Sequence, residues 1–158
     1  MNRKLKIAGF VALLVTLGLF RESLFVNINF LLYYKNTGES FPDYAVSSLY
    51  QWLDNFSYRG LYISKWLITP AFALLFWFVQ KKFLLLLFNE KKTSRWLTML
   101  YLSLLLLAGI AFAGGWLFGH LTEGYRFSRI FMGLLQSPVP CMLLIPLTYF
   151  QKQNQNRL

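Results

Sequence analysis

The stretch Trp96–Gly119, WLTMLYLSLLLLAGIAFAGGWLFG, carries no charged side chain. A helix rises about 1.5 Å per residue and must cross about 30 Å of hydrocarbon, so roughly 20 apolar residues make one span. This stretch therefore reads as a transmembrane helix. On its C-terminal side Ile130–Phe150 also qualifies, with Gln136 and the prolines Pro138, Pro140 and Pro146 inside it. On its N-terminal side Leu61–Gln80 holds a single charge, Lys65, close enough to the segment's end for its ammonium to snorkel to the interface.

A fourth apolar segment opens the chain. Between Lys6 and Arg21 it is only 14 residues long, Ile7–Phe20, about the length of a signal-peptide core, and the basic MNRKLK before it fits that reading too. The run ends in Phe20-Arg21-Glu22, without the small-x-small site that a signal peptidase needs. Apolar character resumes in Leu24–Tyr34. The expectation is an uncleaved helix with Arg21 and Glu22 near the outer interface.

Charge orients these segments. Ten of the 16 Lys and Arg residues lie in the N-terminal tip (Arg3, Lys4, Lys6), the linker between the second and third spans (Lys81, Lys82, Lys91, Lys92, Arg95) and the tail (Lys152, Arg157), where Glu90 is the only acid. The other five acids, Glu22, Glu39, Asp43, Asp54 and Glu123, share the remaining connections with six basic residues. Lys and Arg resist translocation, so the basic side is expected to be cytoplasmic and to hold both termini. Trp66, Trp116, Tyr62 and Tyr125 at the outer limits, and Trp77, Trp96 and Tyr149 toward the inner ones, sit where amphipathic rings favour the headgroup level.

Composition excludes other classes. At 56% hydrophobic and 14% charged residues, the chain is too apolar for a soluble domain of 158 residues. A net charge of +10 would suit nucleic acid, but the charges flank apolar runs instead of forming one basic face, so no nucleic acid is expected as partner. Cys141 is the only cysteine, and no Cys/His cluster has zinc-ligand spacing. No metal or cofactor is expected.

The outer connection has its own pattern. Ser40-Phe-Pro-Asp43 has the form of a capping box with proline in the first turn, and Ala45, Leu49, Trp52, Leu53 and Phe56 follow at helical spacing. A short amphipathic helix would bury that stripe in the outer membrane surface, on the bundle or on a partner. On the inner side Phe83–Phe88, FLLLLF, is too short to cross by itself, and either extends the second helix or lies in the interface. The expected fold is thus all-α: one integral membrane domain over residues 1–158, with spans at about 5–25, 61–82, 96–119 and 130–150, plus the outer amphipathic helix.

Four groups of residues bear on function. Ala111, Gly115 and Gly119 recur every fourth position in the third span, as do Ala8, Ala12 and Thr16 in the first, and such stripes let helix backbones approach. The two stripes are expected to pack against each other within the chain, the alternative being a partner helix. Cys141, His120, Arg126 and Arg129 invite a thiol-enzyme reading, with thiolate, base and oxyanion-stabilising cation. Depth opposes it, because Cys141 lies 12 residues past Arg129, about 18 Å along a helix, whereas catalytic hydrogen bonds reach about 3 Å. In Gln136-Ser-Pro138-Val-Pro140 two prolines remove backbone donors, so neighbouring groups must satisfy the freed carbonyls. Arg126 and Arg129, three apart at the outer mouth of the fourth span, are candidates for binding lipid phosphate or for pairing with Glu123.

Leu19-Phe20-Arg21-Glu22, Leu24-Phe25 and Phe30-Leu-Leu-Tyr-Tyr-Lys35, together with Tyr125-Arg126-Phe-Ser-Arg129 and Ile145-Pro146-Leu-Thr-Tyr149-Phe150-Gln151, stand in an order that resembles the exosortase F system-associated membrane proteins of Bacteroidota. The likeness in length and segment order runs over essentially the whole chain. It differs in the Arg126-x-x-Arg129 spacing and in Val26-Asn-Ile-Asn29, where the family has an acidic, proline-containing turn. The resemblance implies a multi-pass inner-membrane protein encoded in company with an exosortase-type sorting protease, in a family with no established activity. The expected function is therefore a non-enzymatic accessory to protein sorting, embedded among membrane lipids. Trp52, Arg126, Arg129 and Gln136 are the candidate binding residues. The alternatives are a small lipid- or solute-binding membrane protein that uses Arg126, Arg129 and the Gln136–Pro140 kink, and a membrane thiol enzyme centred on Cys141.

Overall fold

The computed structural model describes residues 2–38 and 47–155. Among the described residues there are five α-helices and one 3₁₀ helix: α1 (Arg3–Thr37), the 3₁₀ helix (Ser48–Asn55), α2 (Tyr58–Phe88), α3 (Lys91–Leu117), α4 (Leu121–Leu135) and α5 (Val139–Gln155). Helices α1, α2 and α3 are each long and apolar enough to cross a membrane, and the bent pair α4–α5 qualifies as one broken span. Only 11%, 33% and 17% of the most apolar windows of α1, α2 and α3 are buried inside the protein. So much outward-facing apolar surface is stable only in lipid or against other membrane helices. The chain is an all-α, polytopic membrane protein.

Helix α1 runs unbroken through Arg21 and Glu22 to the left-handed Gly38, whose N–H bonds to the Tyr34 carbonyl. Leu24–Tyr34 is therefore part of the first helix. Ile7, Phe10, Leu14, Leu17, Leu24, Ile28 and Leu31 join the core, alternating at three and four residues with Arg21 filling the position between Leu17 and Leu24. This 3–4 spacing turns one narrow seam of α1 toward α2. Aromatic contacts follow the seam, with Phe10 against Phe83 and both Phe20 and Phe25 against Phe72. Ala8, Ala12 and Thr16 lie off it and are exposed.

Helix α2 is the central element, packing on α1, α3, α4 and α5. The Ser57 hydroxyl caps its start by accepting from the Gly60 N–H, and the left-handed Asn89 ends it. FLLLLF thus extends α2, and Phe83 and Leu84 are buried there. The Arg3 guanidinium donates to the Leu87 carbonyl at 2.8 Å, and Lys152 pairs with Glu90 at 3.0 Å. Both described ends of the chain therefore meet the α2–α3 turn at one end of the bundle, which is the basic end.

Two expectations need correction, and a third is narrowed. The expected fourth span, 130–150, is two helices bent by 58° at residues 136–138, and the first of them begins at Leu121. The small residues of α3 do not face α1. They face α4, which turns back at Gly119 (φ 73°) so that a Cβ on Gly115 would stand 2.5 Å from the Gly124 Cα. Ala111 contributes its carbonyl to the same contact, while Gly119 serves the turn. The outer amphipathic helix is a 3₁₀ helix that docks on α1, burying Tyr50 and Leu53 at i, i+3 while Leu49, Trp52 and Phe56 stay exposed. The Asn27 carboxamide accepts from the Ser47 N–H, and Lys35 pairs with Asp54 at 2.8 Å, fixing it there. The capping box Ser40–Asp43 and Ala45 lie outside the described residues.

Candidate functional site at the break of the fourth span

Helix α4 has 15 residues and covers about 22 Å, so its end lies deep in the hydrocarbon. In a membrane an unsatisfied backbone group costs several kcal/mol, and here two prolines remove the N–H donors that would continue the helix. Three carbonyls at the break have named donors. Leu134 O, which Pro138 cannot serve, accepts from the Ser137 hydroxyl at 2.7 Å. Val139 N–H, the helical donor for Leu135 O, turns to Ser137 Oγ at 3.4 Å, and the buried Tyr101 hydroxyl of α3 donates to Leu135 O at 2.9 Å instead. Ser137 O accepts from Gln80 Nε2 of α2 at 2.7 Å.

Gln136 ties the break to the half of the bundle away from the basic end. Its Nε2 donates to the Thr69 carbonyl of α2 at 2.7 Å, and its Oε1 accepts from Arg21 Nε of α1 at 3.0 Å. Arg21 also pairs with Glu22 at 2.8 Å and lies over the Phe25 ring. Four helices are thus joined by side-chain hydrogen bonds at one broken backbone. Gln80 is fully buried, and its Oε1 is the one buried side-chain polar atom without a hydrogen-bond partner among the described residues.

The sequence-predicted residues separate into two groups. Gln136 is buried at the centre of this network, whereas Arg126 and Arg129 are exposed on α4 and Trp52 is half exposed on the 3₁₀ helix. Because α4 starts at Leu121, Arg126 and Arg129 do share its face, and among the described residues no ion pair joins Glu123 to either. Arg129 stands within electrostatic range of Lys65, whose ammonium bonds Asn29 Oδ1 at 2.7 Å. Cys141 is buried beyond the break, and His120 is exposed at the opposite end of α4, so thiol, imidazole and guanidinium are not brought together.

Arg21, Thr69, Gln80 and Tyr101 were not picked out from sequence. The signal for Arg21 is its place in the 3–4 apolar seam, where a cation must find an acceptor inside the bundle. Gln80, at the polar edge of the second span, carries no such periodic mark. Comparison with protein-family models, with curated proteins and with solved structures finds no match to this chain.

Proposed function

We propose that this chain is a non-enzymatic accessory of an exosortase-type protein-sorting system in a bacterial inner membrane, with both termini cytoplasmic. The observation that carries this reading is the sequence resemblance, from Leu19-Phe20-Arg21-Glu22 to Ile145-Pro146 and Gln151. The internal chemistry is in keeping with it. Polar side chains at the break are occupied in holding four helices together. The convergence of Arg3, Glu90 and Lys152 at the basic end supports cytoplasmic termini.

A partner is expected at the other end. There Trp52 and Phe56, stacked edge to face, and the exposed Arg126 and Arg129 supply aromatic anchors and cationic donors, residue types enriched at binding hot spots. They are carried on separate elements, the 3₁₀ helix on α1 and α4 on α3, so a partner touching both would bridge the two halves of the bundle. The test is co-purification with the sorting protease from native membranes. Trp52→Ala combined with Arg129→Ala should reduce recovery at least about tenfold while the protein remains inserted, since two anchors of this kind contribute more than 1.4 kcal/mol together. Undiminished recovery would refute the outer docking site.

A further inference from the structure

At the basic end a cavity of about 310 Å³ opens between the start of α3 and the last turns of α5, lined by Glu90, Lys91, Lys92, Thr148, Gln151 and Lys152. Its charge is unbalanced. The single carboxylate, Glu90, is committed to Lys152 at 3.0 Å, which leaves both Lys91 and Lys92 without a counter-charge among the described residues, Lys92 lying over the Trp96 ring. The first turn of α3 contains no acid, and Glu90 at its N-cap makes no side-chain capping bond. Two lysines there oppose the helix dipole, an arrangement that an anion in the cavity would relieve.

The apolar surface below the cavity indicates where that anion comes from. On α5, Leu147 and Leu143 lie four and eight residues before Gln151 on the same face, and both are more than half exposed, at 53% and 55%. On α3, Met99 and Leu102, 65% and 60% exposed, continue inward from Lys91 and Arg95. Tracks of this kind, leading from a cationic cavity toward the middle of the bundle, suit acyl chains attached to a headgroup. A free anion would need none of them.

We propose that this cavity binds the phosphodiester headgroup of an anionic phospholipid, with Lys91 and Lys92 as its cationic donors, Gln151 as a neutral one, and the acyl chains along Leu143 and Leu147. The site is separate from the outer docking surface and does not depend on the accessory reading. A headgroup there would hold the α2–α3 turn to the end of α5, at the place where Lys152 already joins them.

The experiment uses the full chain in nonionic detergent, with bound lipid counted by native mass spectrometry during titration with phosphatidylglycerol, phosphatidylcholine or inorganic phosphate. Phosphatidylglycerol should be retained at least about tenfold more tightly than phosphatidylcholine, and Lys91→Gln with Lys92→Gln should weaken it about 30-fold. Lys91→Gln alone should weaken it about fivefold, and Arg126→Gln with Arg129→Gln should leave it unchanged. The wild-type headgroup comparison stands even if the double variant does not insert. Equal retention of the two lipids, or unaltered phosphatidylglycerol binding in the inserted Lys91→Gln protein, would overturn the site. Complete displacement by millimolar inorganic phosphate would overturn the lipid as its source.

Discussion

Helix α4 is held by opposite means at its two ends. At its start, Gly115 and Gly124 bring the backbones of α3 and α4 together around the Gly119 turn by close approach of main chain on main chain. At its end, the chain breaks at Gln136–Pro138 and is fastened by Tyr101, Gln80, Arg21 and Ser137. Lipid tails are as apolar as leucine, so burying apolar side chains does little to join helices in a membrane. What remains is close packing and hydrogen bonding. The hairpin uses the first and the break uses the second, so their responses to substitution should differ in kind as well as size.

The largest effect is expected at the hairpin. A Cβ on Gly115 would lie 2.5 Å from the Gly124 Cα and 2.9 Å from its nitrogen, both backbone atoms that cannot move aside without shifting a helix. Gly115→Leu should therefore destabilise the bundle by at least about 3 kcal/mol, beyond ordinary core overpacking. Gly124→Leu should match it, because a Cβ there meets the Gly115 Cα at 2.6 Å. Gly114→Leu, where a Cβ meets nothing within 4 Å, should be tolerated. Equilibrium unfolding in mixed detergent micelles reads all three, and a Gly115→Leu protein as stable as Gly114→Leu would mean that α4 does not pack as described.

At the break, Gln136→Leu should cost about 2 kcal/mol in the same measurement. It removes two hydrogen bonds of a kind that averages about 0.6 and reaches about 1.7 kcal/mol in membranes, and leaves the Arg21 guanidinium without its acceptor on the fourth span. The loss should shrink when Arg21→Leu is also present, since the unpaired cation then disappears. Additive costs in that double-mutant cycle would show that the two side chains are not coupled.

What the sequence disclosed, and what it withheld, follows the same division. Span lengths are legible because the thickness of hydrocarbon sets them, so Trp96–Gly119 and Leu61–Gln80 each fall inside an observed helix or end within two residues of it. A glycine at every fourth position announces a close approach but does not name the partner. Ala8, Ala12 and Thr16 matched the spacing of α3 and yet face outward, while Gly124 lies only nine residues past Gly115, across a glycine that permits the reversal. The prolines disclosed that carbonyls would be freed near Gln136. They did not disclose the donors, because Tyr101 and Gln80 come from other helices and neither has a local pattern to mark it. Of the candidate binding residues, Gln136 became an internal fastener, and Trp52, Arg126 and Arg129 kept the exposure that a binding role requires.

The smallest effect is expected at Gln80, although this residue is as deeply buried as any in the protein. Its carboxamide makes one good bond, Nε2 to Ser137 O at 2.7 Å, which also fixes its orientation, since a carbonyl accepts only from the amide nitrogen. The Oε1 is then left facing the bundle interior without a donor. Gln80→Leu removes a favourable bond and an unfavourable buried acceptor together, and fills a similar volume with an apolar group. The two changes oppose each other, so the net cost should stay below about 1 kcal/mol, less than for Gln136→Leu, where every polar atom is paired. Tyr101→Phe, which loses the bond to Leu135 O, should cost about 1 kcal/mol. If Gln80→Leu instead proves as damaging as Gln136→Leu, then Oε1 has a donor in the membrane, and the break is fastened as completely on the side of the basic end as on the other.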